Sequence, residues 1–232
     1  MSVSHIHFER ARESRRSSVD VATIPFSAVK SDHMLVAEFF DGRWQQATIR
    51  PYAPLPLAPS ISGLQYGISI FEGLKAHRMP DGTVTIFRPR ENARRMQRSA
   101  ERLAMPPIPE DLFMTGVQEL VRVDQTWVPD HGDGALYIRP FQFSIDESVR
   151  VKPADRYLFV MFTFPYGSYY AAPVDVLVAG DYVRAFPGGA GDVKPGGNYA
   201  PTLVAERDAQ QAGLQTVLWQ TDTNVATSRS AV

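Results

Sequence analysis

The stretch Gly188-Gly189-Ala190-Gly191-Asp192-Val193-Lys194-Pro195-Gly196-Gly197-Asn198-Tyr199 decides the reading of this 232-residue chain. Its lysine stands between two glycine pairs, and glycine, having no Cβ, lets backbone approach a ligand closely. Lysine is scarce here: of 24 basic side chains only Lys30, Lys75, Lys152 and Lys194 are lysines. The difference is chemical, because a lysine amine can form a Schiff base and a guanidinium cannot. A helix is expected from Tyr199 to Ala212, with Pro201 tolerated in its first turn and Gly213 as its stop. Its N-terminal amides would face back toward Lys194, a favourable place for a phosphate or carboxylate. The G-x-x-x-x-G-K-[ST] phosphate loop is excluded, because Pro195 follows the lysine. Taken alone, the same glycines equally describe a surface turn carrying a solvated lysine.

Composition narrows the class of protein. A 44% hydrophobic and 21% charged chain is an ordinary soluble globular one, long enough for one large domain or two small ones. A net charge of −1 gives no sign of a nucleic-acid or membrane partner. Cysteine is absent, so disulfides and thiolate metal sites are out, and the five histidines show no ligand spacing with acidic residues. No metal is assigned. No apolar run reaches the roughly 18–20 residues that span a bilayer. Residues 1–20 carry Arg10, Arg12, Arg15 and Arg16 among serines, but Glu9, Glu13 and Asp20 argue against a transit peptide. That segment reads as a disordered, solvated leader.

Working outward, the apolar run His33–Phe40 followed by Asp41-Gly42 and Trp44–Arg50 predicts a hairpin. Prolines 51, 54, 56 and 59 make an extended connector. Pro80-Asp81-Gly82 is a turn leading into a strand at Thr83–Phe87. Ala93, Met96, Ala100, Leu103 and Ala104 share one helical face, so Glu91–Ala104 reads as a helix that Pro106-Pro107 stops. A second helix follows Pro109, with Leu112, Val117, Leu120 and Val121 inward. Ala135–Phe143, Arg156–Phe164, Val174–Gly180 and Thr216–Trp219 read as strands. The aromatic segment 165–173 breaks periodicity between two strand-rich halves and is the natural linker.

Strand alternation puts Tyr137 and Arg139 on one face, where a phenol and a guanidinium can hold a carboxylate. Without other evidence, a solvated sheet face is the better reading of the same pair. Tyr66 and Phe71 alone are strand aromatics, and Arg95 alone is a solvated helix charge.

Taken in order, these pieces resemble the branched-chain amino acid aminotransferases. The resemblance runs through residues 66–76, 87–96, 98–106, Trp127-Val128-Pro129, 136–140 and 188–199, and covers about residues 24 to 220. It implies an α/β (α+β) fold of the fold-type IV kind, using pyridoxal 5'-phosphate between a smaller and a larger domain. Residues 21–168 would form the small domain, 169–174 the linker, and 175–232 the first part of the larger domain. By motif, Lys194 would be the covalent attachment point of the cofactor and the proton carrier. Arg95 would hold its phosphate and Tyr199 its phenolic oxygen. Tyr66, Phe71, Tyr137, Arg139 and Tyr169 would line the substrate pocket, with Arg139 meeting the side-chain carboxylate of glutamate. The implied reaction moves the amino group of Leu, Ile or Val to 2-oxoglutarate, in a cytoplasmic homodimer whose partners are small amino acids and 2-oxo acids.

After Trp219 the resemblance stops. Relatives continue with an acidic residue that pairs with the pyridine nitrogen, and Asp222 is a poor substitute. The larger domain is therefore expected only as its first piece, as a truncated or frameshifted product or one that something else completes. Lys30 is a second departure, standing where the family usually has an aromatic pocket residue. Two rival readings stay open: a non-catalytic remnant retaining the small domain as a folded or dimerising unit, and a fold-type IV lyase or D-amino acid transferase.

Overall fold

The run Tyr157 to Tyr166 alternates two apolar sets, and that alternation gives the main sheet a packed layer on each face. The structure is a computed structural model that describes residues 6–21, 24–130, 132, 134–167 and 173–220. In chain order the strands are β1 (His7–Phe8), β2 (His33–Phe40), β3 (Arg43–Trp44), β4 (Thr48–Pro51), β5 (Ser69–Phe71) and β6 (Leu74–Arg78). They continue as β7 (Val84–Ile86), β8 (Ala135–Ser144), β9 (Tyr157–Tyr166), β10 (Val176–Val178) and β11 (Thr216–Leu218). The helices are α1 (Ser62–Tyr66), α2 (Pro89–Arg102), α3 (Glu110–Val123) and α4 (Leu203–Gln211).

The main sheet runs β1-β4-β2-β9-β8-β6-β7, with β3 added to β2 and β5 to β8. On one face Tyr157, Phe159 and Met161 join Leu136 and Ile138 beneath Ala93, Met96 and Ala100 of α2 and Leu112, Phe113 and Val117 of α3. Each of the larger of these buried side chains contributes on the order of 1.5–3 kcal/mol. The opposite face carries Tyr137, Phe164 and Tyr166 in one cluster and Phe143, Leu158 and Val160 in another. Asp41 and Gly42, with φ of 51° and 70°, close the β2–β3 hairpin.

One proline explains where the site can form. Pro140 lies inside β8 but has no N–H, and it falls where the neighbouring ladder is interrupted. β5 pairs with Phe141–Phe143 and β6 with Leu136–Ile138, leaving Glu72 and Gly73 as the break between them. Glu72 closes the gap by donating its N–H to the Pro140 carbonyl, 2.8 Å.

Several expectations are corrected. Residues 6–20 of the supposed leader are docked: β1 lies parallel to β4, Ser14 donates to Asp32 at 2.5 Å, and Arg15 reaches the Lys30 and Ser31 carbonyls. Polar contacts hold the segment, so its low apolar content did not keep it loose. Residues 1–5, most of the expected linker, and Asp222 lie outside the described residues. The helix expected from Tyr199 starts as 3₁₀ turns at Gly196–Asn198 and Ala200–Thr202, and α begins only at Leu203. Pro201 cannot donate to the carbonyl four residues back, so i→i+3 bonds such as Thr202 N–H to Tyr199 O (3.0 Å) take over. β10 and β11 pair in parallel as a separate small sheet, and Ala205 and Ala209 of α4 pack with Val217 and Trp219 against it.

Candidate active site

The lysine loop is fastened to the main domain from two sides. Phe71 of β5 donates its N–H to the Lys194 carbonyl (3.1 Å), and Ile70 and Pro195 form an antiparallel bridge. From α2, the Ser99 hydroxyl oxygen accepts the Lys194 N–H at 3.0 Å and donates its own hydrogen to the Arg95 carbonyl at 2.9 Å. So held, the Lys194 ammonium donates to the Tyr199 hydroxyl at 2.9 Å and lies 4.5 Å from the centre of the Phe71 ring. The Phe71 and Tyr199 rings are themselves 4.9 Å apart. Gly196 packs closely on β5: a Cβ there would come within 2.6 Å of the Ser69 hydroxyl oxygen.

Helix α2 turns two faces to two tasks. Ala93, Met96 and Ala100 enter the core, while Asn92, Arg95 and Ser99 line the neighbouring stripe at i, i+3 and i+7, with Ser99 buried. Arg95 grips the fully buried Glu72 carboxylate through Nε (2.5 Å) and Nη2 (2.7 Å), and the Asn92 amide adds a bond at 2.9 Å. The Glu72 hydrogen bonds raise the Arg95 pKa above its ordinary value, burial opposes them, and the Tyr199 and Tyr137 hydroxyls nearby add to the rise. Arg98, one turn on, is exposed and lines with Arg88 and Arg95 a cavity of about 350 Å³.

Strand alternation does bring Tyr137 and Arg139 together. Arg139 Nη2 donates to the Tyr137 hydroxyl at 3.2 Å, and its guanidinium lies 4.7 Å from the Phe71 ring centre. Its Nε–H is buried without an acceptor among the described residues. Tyr137 is 5% exposed and stacks on Phe164 at 4.9 Å, which rules out the solvated-face alternative. Lys30 Nζ stands 5.6 Å from the Phe164 ring centre, and burial lowers its pKa. Cations and aromatic rings therefore share this face, in the order Lys194, Phe71, Arg139, the stacked pair Tyr137 and Phe164, and Lys30. Tyr66 stands apart, 43% exposed, its hydroxyl donating to the Val149 carbonyl at 2.5 Å. Tyr169 lies outside the described residues.

No family model matches the chain. Its similarity to individual proteins is nevertheless extensive. It is 42% identical over 212 residues to a probable branched-chain-amino-acid aminotransferase of Streptomyces coelicolor, covering 89% of this chain and 58% of that protein. With branched-chain-amino-acid transaminase 1 of Bacillus subtilis it shares 42% over 205 residues, 86% of this chain and 58% of the relative. The chain is a relative of the branched-chain aminotransferases. It spans about 58% of the length of the curated relatives it matches. The fold agrees: the branched-chain aminotransferase structures from Thermoproteus uzoniensis and Escherichia coli superpose with TM-scores of 0.64 at 19% and 23% identity. They match 84% and 82% of this chain, and 62% and 61% of theirs, which places it in the fold-type IV architecture.

In this branched-chain aminotransferase relative, two participants had no reading of their own in the sequence. Glu72 was legible only as part of a motif; its neighbour Gly73, where a Cβ would run into the Tyr137 hydroxyl, was the available signal. Ser99 could have been found by its place one turn after Arg95, as a polar residue bordering the apolar stripe.

Proposed function

We propose that the chain serves amino-group transfer between Leu, Ile or Val and 2-oxoglutarate, with pyridoxal 5'-phosphate attached at Lys194. The observation that carries this reading is the placement of the Lys194 amine, 2.9 Å from the Tyr199 hydroxyl and against the Phe71 ring, in a loop pinned to β5 and α2. The residues present fit the cofactor: the Lys194 amine and the Tyr199 phenol lie together, the Arg139 guanidinium faces the same Phe71 ring, and its buried Nε–H has no acceptor among the described residues. A related structure was solved with pyridoxamine 5'-phosphate. When bound, the cofactor supplies the electron sink.

The chain's own residues supply position and charge. Lys194 Nζ is the attachment point and the group that carries the proton. Tyr199 holds the phenolic oxygen, and Arg95 the phosphate. Phe71 and Tyr137 form the apolar lining that takes aliphatic side chains, and Arg139 receives the side-chain carboxylate of glutamate. An aromatic bed beside the Arg139 guanidinium suits a pocket that must admit both kinds of substrate. We assign the protein to the cytoplasm as a homodimer; the exposed Leu64, Tyr66 and Val151 support a covered face there.

Borohydride reduction of the protein incubated with pyridoxal phosphate, followed by peptide mapping, tests the reading. A label on Lys194 is expected; a label on Lys30, Lys75 or Lys152 sinks it. Leucine–2-oxoglutarate turnover measured on the same preparation separates an active enzyme from a unit that holds cofactor without reacting.

A further inference from the structure

We propose that Glu72 is a positioning residue, fixing Arg95 so that the free end of its guanidinium faces a phosphate monoester. The inference rests on the reading of this site as a cofactor site and adds a residue to which no role has been given. Glu72 is wholly buried, yet its carboxylate faces the only guanidinium that approaches it among the described residues. Its two oxygens receive Arg95 Nε–H and Nη2–H, the Asn92 amide and, at 3.3 Å, the Gly73 N–H.

That arrangement consumes one edge of the Arg95 fork. Nη1 has no acceptor among the described residues, so the Nη1–Nη2 end remains for a second anion, and the side chain is 41% exposed on that account. An arginine free to rotate would lose side-chain entropy on gripping a phosphate; one already clamped by a carboxylate loses less. The clamp also joins the parts of the site. Glu72 follows Phe71, which holds the Lys194 carbonyl, and Asn92, Arg95 and Ser99 all project from one stripe of α2. Glu72 therefore sets the distance between the anion-holding group and the amine through a single buried carboxylate.

The test compares affinities for pyridoxal 5'-phosphate and for pyridoxal, which lacks the phosphate, using the full chain and its Glu72→Gln, Glu72→Asp and Arg95→Ala variants. The full chain should prefer the phosphate ester. Glu72→Gln should lose that ester affinity by about 10-fold or more, the equivalent of a charge-assisted hydrogen bond, and leave pyridoxal affinity unchanged. Glu72→Asp, which keeps the charge on a shorter arm, should lie between. Inorganic phosphate should displace the ester from the full chain and compete poorly in Glu72→Gln. Equal weakening of both ligands, no change in either, or failure of both Glu72 variants to fold would assign Glu72 to structure and overturn the proposal. Borohydride labelling keeps the two readings apart: loss of the Lys194 label with intact phosphate discrimination sinks the site reading alone. A retained label with unchanged discrimination in Glu72→Gln sinks the Glu72 role alone.

Discussion

Ser99 accepts the Lys194 N–H at 3.0 Å while its own hydroxyl hydrogen goes to the Arg95 carbonyl one turn back. A single buried hydroxyl thus ties the lysine loop to the helix that carries the guanidinium. Ser99→Ala should leave the Lys194 amide without its acceptor and cost about 1 kcal/mol, with a small fall in Tm. Amide exchange at Lys194 should accelerate by roughly an order of magnitude. Unchanged exchange there would mean that the Phe71 contact alone orders the loop.

Arg95 and Arg98 share a helix and border one cavity, but only Arg95 is clamped. Arg95→Ala should weaken cofactor retention by the roughly 1.5–3 kcal/mol of a charged hydrogen bond, and Arg98→Ala by much less. Equilibrium dialysis against pyridoxal phosphate decides it; equal losses return Arg95 to an ordinary surface charge.

Gly73→Ala should be poorly tolerated for a steric reason. The added methyl runs into the Tyr137 hydroxyl, and the Tyr137 ring cannot retreat, being stacked on Phe164 with Phe26 edge-on at 5.2 Å. Overpacking of this kind costs about 1–3 kcal/mol. Thermal melts should show that loss, and the Arg139–Tyr137 hydrogen bond should go with it. A variant as stable as its parent would show that the ring can shift.

The docked segment 6–20 should loosen in acid. Burial raises the Asp32 pKa, but donors from Ser14, Trp127 and the Arg15 backbone outweigh it, and the net value lies below the usual one. A carboxylate depressed in the folded state stabilises fully above its unfolded pKa of about 3.9, and that contribution is lost as pH falls through the lower folded value. Hydrogen exchange of residues 6–20, corrected for intrinsic rates, should rise selectively below about pH 4. Asp32→Asn should reproduce the loosening at neutral pH as faster tryptic cleavage at Arg10 to Arg16. A segment equally protected in both conditions would place its hold in β1 instead.

What the sequence disclosed follows the range of the forces involved. Apolar spacing located α2 and α3, and the period of two in β8 put Tyr137 beside Arg139, because burial patterns are local. The five-residue α1 was missed: it has no side-chain cap and contains Gly63, so nothing in its composition announces a helix. The docking of Arg15 on the Lys30 and Ser31 carbonyls, and of Arg95 on Glu72, joins positions 15 to 23 apart through polar atoms. No hydrophobic period records such pairings. Lys194 was legible because its glycine setting is chemical and local; the fastening of its loop by Ser99, 95 positions away, was not.

That fastening bears on how a new copy of the protein matures. Pairing β10 with β11 requires closure of the whole 179–215 connection in which the lysine sits, and its loop gains order only on meeting strand β5 and helix α2. Contacts so distant in sequence form late, after local helices and hairpins. Before that closure Lys194 lacks every contact that sets it apart in the folded chain. Its pairing with Tyr199 and Phe71 comes into being only when the sheet is already built, so folding itself times the moment at which this lysine becomes different from the other three.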